Sequence, residues 1–183
     1  MHINGVLKHW SMVMVLLFAM PCALADQIIL SYGAGPQPES NQKNRLLSID
    51  YSFYEKVRSV RSKLSFGASY IRLKTNTDDN SNLEVFSVYP QLTLTPVNKI
   101  LRGSYFFVRA LGPSYISHNQ LGSRQQTNNF AFQAQVGVGY RVILAKRNTL
   151  LLQLSWKHFS NASLFEPNDG IDIPVVFSFG YDH

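Results

Sequence analysis

The chain has 183 residues, enough for one domain with its own core or one closed barrel. Lysine and arginine outnumber the acids 17 to 11, which points to an anionic partner, and charged residues (15%) barely exceed aromatic ones (13%), a poor balance for a water-soluble domain. The single cysteine, Cys22, excludes a disulfide framework.

The first residues read as an address rather than as structure. Lys8 and His9 precede the apolar run from Met12 to Met20, Pro21 breaks it, and Ala23-Leu24-Ala25 follows as a small-x-small cleavage signal. The run is too short to span a membrane as a helix, which takes roughly 20 residues. Pro21 before Cys22 also argues against a lipidated cysteine. Residues 1–25 are therefore expected to be a cleaved signal peptide, and residues 26–183 a single exported domain. Cys22 leaves with the signal, and export argues against a nucleic-acid partner.

After residue 26 the pattern is alternation. Segments near 27–35, 44–55, 62–73, 83–94, 103–116, 127–142, 149–160 and 171–181 read as eight strands, long enough to cross a bilayer when tilted. In 130–142 the even positions from Phe130 to Val142 are mostly apolar, whereas the odd ones hold Gln133, Gln135, Gly137, Gly139 and Arg141. Such period two fits a strand between two different solvents. In the last segment Ile171, Ile173, Val175, Phe177, Phe179 and Tyr181 read as one apolar face, with Asp172 opposite. The fourth and fifth segments alternate poorly, through Pro90 and Tyr105-Phe106-Phe107-Val108.

Connections at 36–43, 75–82, 117–126 and 161–170 are polar and rich in turn residues, and those between are shorter and basic. The fold expected is all-β, an eight-stranded antiparallel transmembrane β-barrel with both termini in the periplasm and the polar loops outside. A soluble up-and-down barrel with its apolar face inward is the alternative, because alternation is common to both.

Chemistry concentrates on the seventh strand. Its even face is Leu152, Leu154, Trp156, His158 and Ser160, so His158 and Ser160 fall on the lipid-facing side at the outer end. Polar side chains facing lipid are costly and tend to mark function. Two residues apart on one face, an imidazole can reach a serine hydroxyl, the contact ester hydrolysis needs. The pair also fits a bland reading, an interfacial His and Ser near lipid headgroups.

The run His158-Phe159-Ser160-Asn161, continued by Asn168-Asp169-Gly170 and Asp172, resembles the signature of the lipid A 3-O-deacylase (PagL) family. The resemblance is sharpest over these residues. It implies an outer-membrane enzyme that removes the ester-linked 3-hydroxyacyl chain at position 3 of lipid A, with lipopolysaccharide as substrate and neither cofactor nor metal. Ser160 is then the nucleophile, His158 the general base and Asp172 the acid, where the family has a glutamate. Strict alternation sends Asp172 to the lumen, unless a bulge or turn before Pro174 re-aims it. Glu166 is the other acidic candidate. Asn168, Gly170 and Asn161 are the candidate oxyanion donors. Asn168-Asp169-Gly170 also reads as an ordinary turn, and Asn161 as the residue that ends a strand.

Two other functions stay open at this point: a non-catalytic barrel (structural protein, adhesin or pore) and another lipid-acting barrel enzyme. Arg72, Lys74 and Arg124 are placed to meet lipid A phosphates. Trp156, Tyr70 and Tyr89 read as interface anchors or lipid-facing bulk.

Overall fold

The computed structural model describes residues 27–182 except 145–147; the expected signal peptide lies outside the described residues. The strands are β1 (Gln27–Pro36), β2 (Lys43–Ser59), β3 (Ser62–Thr75), β4 (Asn82–Leu94), β5 (Ser104–Ile116), β6 (Gln120–Leu121), β7 (Arg124–Gln125), β8 (Phe130–Ile143), β9 (Thr149–Ser160) and β10 (Ile171–Asp182). Eight of them close a barrel in the order β1-β10-β9-β8-β5-β4-β3-β2. Every ladder is antiparallel, and β1 pairs with β10 to complete the ring.

The wall separates two solvents in the inverted sense. Outward side chains are large and apolar: Leu30 is 55% exposed, Leu47 60% and Phe177 61%. The inside is polar over much of its length, with Asp50, Gln91, Arg109, Gln133, Gln135 and Lys157 all buried. A soluble barrel would place these sets the other way round, so its alternative falls. Inside, Arg109 Nη1 lies 3.1 Å from Asp50 Oδ2, its Nε donates to Gln91 Oε1 at 2.8 Å, and its guanidinium stacks 3.8 Å over the ring of Tyr89. Tyr89 is therefore a lumen residue and not an interface anchor. An amphipathic ring suits either solvent, and the weak alternation of β4 did not reveal the side it faces.

The lumen is layered. At one end an apolar cluster that includes Leu46, Ile71, Leu73, Val85, Ile116 and Phe159 fills the bore, and Leu121 of the β6–β7 hairpin belongs to it. That hairpin lies inside the connection expected as an irregular polar loop. Its turn is closed by Gly122 at φ +58°, a conformation L side chains rarely adopt. The hairpin end carries the longer connections, 117–129 and 161–170 among them, against 60–61 and 144–148 at the opposite end; 95–103 is the exception, longer than 37–42.

Surplus residues reset the alternation in β2, between Ser52 and Tyr54, and again in β5 and β10. In β5, Arg109 and Gly112 pair with Gln135 and Gln133 of β8, so one extra residue is accommodated, with Leu111 at φ 55° pointing outward. In β10, Ile173 and Val176 pair with Lys157 and Ser155 of β9, again with one residue in excess. The expected lipid-facing row of β10 is thereby corrected: Ile171 and Ile173 are buried inside, whereas Val175, Phe177, Phe179 and Tyr181 face out. A single unpaired residue inverts the facing of everything on one side of it.

Candidate active site

The outer face of β9 presents Leu152, Leu154, Trp156, His158 and Ser160, as period two requires. Phe159 and Lys157, between them, are fully buried inside. Across the ladder His158 pairs directly with Asp172 of β10. Because the β10 bulge lies beyond this pair, Asp172 turns outward on the same face. His158 Nδ1 is 2.9 Å from Asp172 Oδ1, with 25% and 14% of the two side chains exposed. The lumen-facing expectation from strict alternation is thus corrected.

Three further groups hold the aspartate. The Trp156 indole N–H donates to Asp172 Oδ1 at 3.1 Å, and Trp156 stacks on His158 with ring centres 5.4 Å apart. Gln37, from the connection after β1, donates through Nε2 to Asp172 Oδ2 at 3.3 Å and accepts the Asp172 backbone N–H at 2.9 Å. Asn44 of β2 donates to the Asp172 carbonyl at 3.0 Å. Trp156 was legible from alternation as sharing the face of His158. Gln37 and Asn44 carry no local sequence signal, since they reach the site only through barrel closure.

Ser160 ends β9 on the same outer face. Its hydroxyl accepts the Ala162 N–H at 3.4 Å; among the described residues it makes no hydrogen bond to His158. The chain then turns sharply, with Ala162 at φ 56° and Ser163 at φ 57°, uncommon values for residues bearing a Cβ. Strain of this kind, just after a serine at a strand end, persists only where the surroundings impose it. Asn168 imposes part of it: its Oδ1 accepts the Asn161 N–H at 2.9 Å and its Nδ2 donates to Ser163 Oγ at 3.3 Å.

Asn161 is corrected as an oxyanion candidate. Its side chain is fully buried, and its amide donates to the Phe165 carbonyl at 2.7 Å, so it ties the loop from the inside. Gly170 has a steric function: a Cβ there would lie 2.4 Å from His158 Cε1, so only a bare Cα lets the imidazole take this position. Glu166 is exposed in the loop and has no hydrogen bond or ion pair among the described residues; the contact with His158 belongs to Asp172. Arg124, expected at lipid phosphates, donates instead to the Pro38 carbonyl and joins the hairpin to the β1–β2 connection. Arg72 and Lys74 do face outward, with Arg72 3.7 Å from Glu84.

The family model of lipid A 3-O-deacylase (PagL) matches residues 88–182, which hold His158, Ser160 and Asp172 but neither Gln37 nor Asn44. A relative from Bordetella bronchiseptica, lipid A deacylase PagL, is 29% identical over 92 residues, covering 50% of this chain and 49% of that one. The match thus spans about half the length of that curated relative. The crystal structure of the outer membrane enzyme PagL is similar to 85% of this chain and 97% of its own, with a TM-score of 0.57 at 18% identity, a likeness of fold. The lipid-facing wall and these matches place the chain in the outer membrane, and it belongs to the lipid A 3-O-deacylase (PagL) family.

Proposed function

We propose that the protein hydrolyses the ester that joins the 3-hydroxyacyl chain to position 3 of lipid A, with Ser160, His158 and Asp172 as its catalytic residues. The observation that carries this reading is the 2.9 Å contact between His158 Nδ1 and Asp172 Oδ1 on the lipid-facing wall, one alternation step from Ser160. A carboxylate on Nδ1 fixes the tautomer in which Nδ1 holds the proton and Nε2 is the free base. Nε2 then takes the Ser160 proton as Oγ attacks the acyl carbonyl. His158 returns that proton to the departing sugar oxygen, and the acyl group stays on Ser160. Water, deprotonated by His158, releases the 3-hydroxy fatty acid and restores the serine.

The hydroxyl of Ser160 now engages Ala162, and binding of the ester turns it toward Nε2; catalytic hydrogen bonds commonly tighten only once substrate is bound. Asn168 Nδ2 has a second hydrogen beyond the one given to Ser163, and we assign it as an oxyanion donor. The site's place on the outer wall supports a substrate that arrives in the bilayer rather than through water. Arg72 and Lys74, four strands away around the ring on β3, add outward basic side chains that suit an anionic lipid surface.

Mass spectrometry of lipid A from cells with and without the protein tests the reading. Loss of one 3-hydroxyacyl chain is expected with the wild type, and intact lipid A with Ser160→Ala. The same mass change with Ser160→Ala would sink the assignment.

A further inference from the structure

A buried chain of amides stands behind the acidic residue. We propose that Gln37 is a positioning residue for the reaction, the group that makes an aspartate at 172 serve as the partner of His158. The inference rests on the catalytic reading above.

Gln37 is 2% exposed and uses both ends of its amide on the same neighbourhood. Its Oε1 accepts the Asp172 N–H at 2.9 Å and the Asn44 Nδ2 at 2.7 Å. Its Nε2 donates to Asp172 Oδ2 at 3.3 Å and to the Gly170 carbonyl at 3.0 Å. Gln37 thus grips the backbone of residue 172, its carboxylate, and the glycine on which the imidazole rests. Asn44, fully buried, fixes the flip state of the Gln37 amide, because its NH2 requires an oxygen opposite it.

The physical need is specific to this chain. The aspartate stem is short and sits just before the β10 bulge. Residue 172 pairs with His158 of β9, but the ladder from β10 to β1 ends at Val175, so toward β1 its N–H and carbonyl meet Gln37 and Asn44 in place of a strand. Without that hold the β1-side edge of residue 172 is free to swing and the carboxylate to rotate off Nδ1. Gln37 opposes both motions with one side chain. Among the described residues it makes no hydrogen bond to His158 or Ser160 and reaches them through Asp172 and Gly170.

Two variants separate this from a scaffold role. Gln37→Glu keeps size and the acceptor oxygen, and so retains the bonds from Asp172 N–H and Asn44. It loses the donor to Oδ2 and sets a second carboxylate against Asp172. Gln37→Leu removes all four bonds. Both are refolded in detergent micelles and assayed on purified lipid A for kcat and KM. In parallel, the low-field proton resonance of the His158 Nδ1–H is recorded in each variant and in each combined with Ser160→Ala.

The expected result is a fall in kcat on the order of 10²-fold with KM unchanged, as for a misplaced catalytic group, and a lost or displaced low-field resonance in both backgrounds. Unchanged kcat in folded Gln37→Glu overturns the inference. So does a lowered kcat with the resonance intact, and so does failure of both variants to fold, which would make Gln37 a scaffold residue. If the wild type leaves lipid A intact, the catalytic reading fails, while the resonance in Ser160→Ala still decides whether Gln37 holds Asp172 on His158.

Discussion

Asp172 reaches His158 at 2.9 Å because one surplus residue in β10 turns its side chain outward. In an unbroken ladder the outward rows of Phe177 and Phe179 would continue through residues 175, 173 and 171, and the carboxylate would sit inside the barrel. The bulge therefore creates the pairing of acid and imidazole, and the strand beyond it remains free to face lipid in its ordinary register.

Removing the charge at 172 tests the orientation of the imidazole. Asp172→Asn preserves size but offers Nδ1 either a donor or a weaker acceptor, and the wrong tautomer becomes accessible. A drop in kcat of about 10³-fold or more is expected, with KM little changed. Single-turnover assays on detergent-solubilised lipid A measure it, and activity near wild type would remove Asp172 from the mechanism.

Gly170→Ala tests the packing of His158. The added Cβ meets Cε1 at 2.4 Å, so the ring must move away from its place beside Asp172. A loss in kcat on the order of 10²-fold is expected from a displacement near 1 Å. Thermal unfolding of the barrel should shift little, since the clash is relieved into an open face. Equal activity in the alanine variant would show that the imidazole has slack at this position.

Trp156→Phe isolates the indole N–H. Stacking against His158 is kept, while the 3.1 Å donor to Asp172 Oδ1 is lost. One hydrogen bond of about 1 kcal/mol corresponds to a roughly fivefold lower kcat. Trp156→Ala should fall further. Should the two variants be equally active, the stacking contributes nothing.

The lumen pair gives a stability prediction. Arg109→Met leaves Asp50 buried without its guanidinium, an arrangement that costs about 3–5 kcal/mol. Urea midpoints for unfolding from micelles should drop accordingly. Arg109→Met combined with Asp50→Leu and Lys157→Met should recover most of the loss, because Asp50 also interacts with the fully buried Lys157 and only the triple change leaves no uncompensated charge. Recovery failing in the triple variant would point to the stacking of Arg109 over Tyr89 as the larger contribution.

The sequence alone determined the barrel and half of the site. Strand number and spacing follow from period two, which a strand shows without its partners, whereas which face meets lipid was decided by the closed barrel with its polar bore. It also put Trp156, His158 and Ser160 on one outward face, since they share a strand and a parity. The tertiary structure decided the rest. The inward turn of Ile171 and Ile173 and the outward turn of Asp172 depend on how β10 pairs with β9, and no local pattern encodes an unpaired residue. Tyr89 faces the lumen because Arg109 of the adjacent strand stacks on it. Gln37 and Asn44 meet residue 172 across more than a hundred residues of chain, through the closure of β1 on β10. Alternation is a property of one strand and its solvents; register, bulges and buried amide networks are properties of strands in pairs, and they exist only once the barrel has closed.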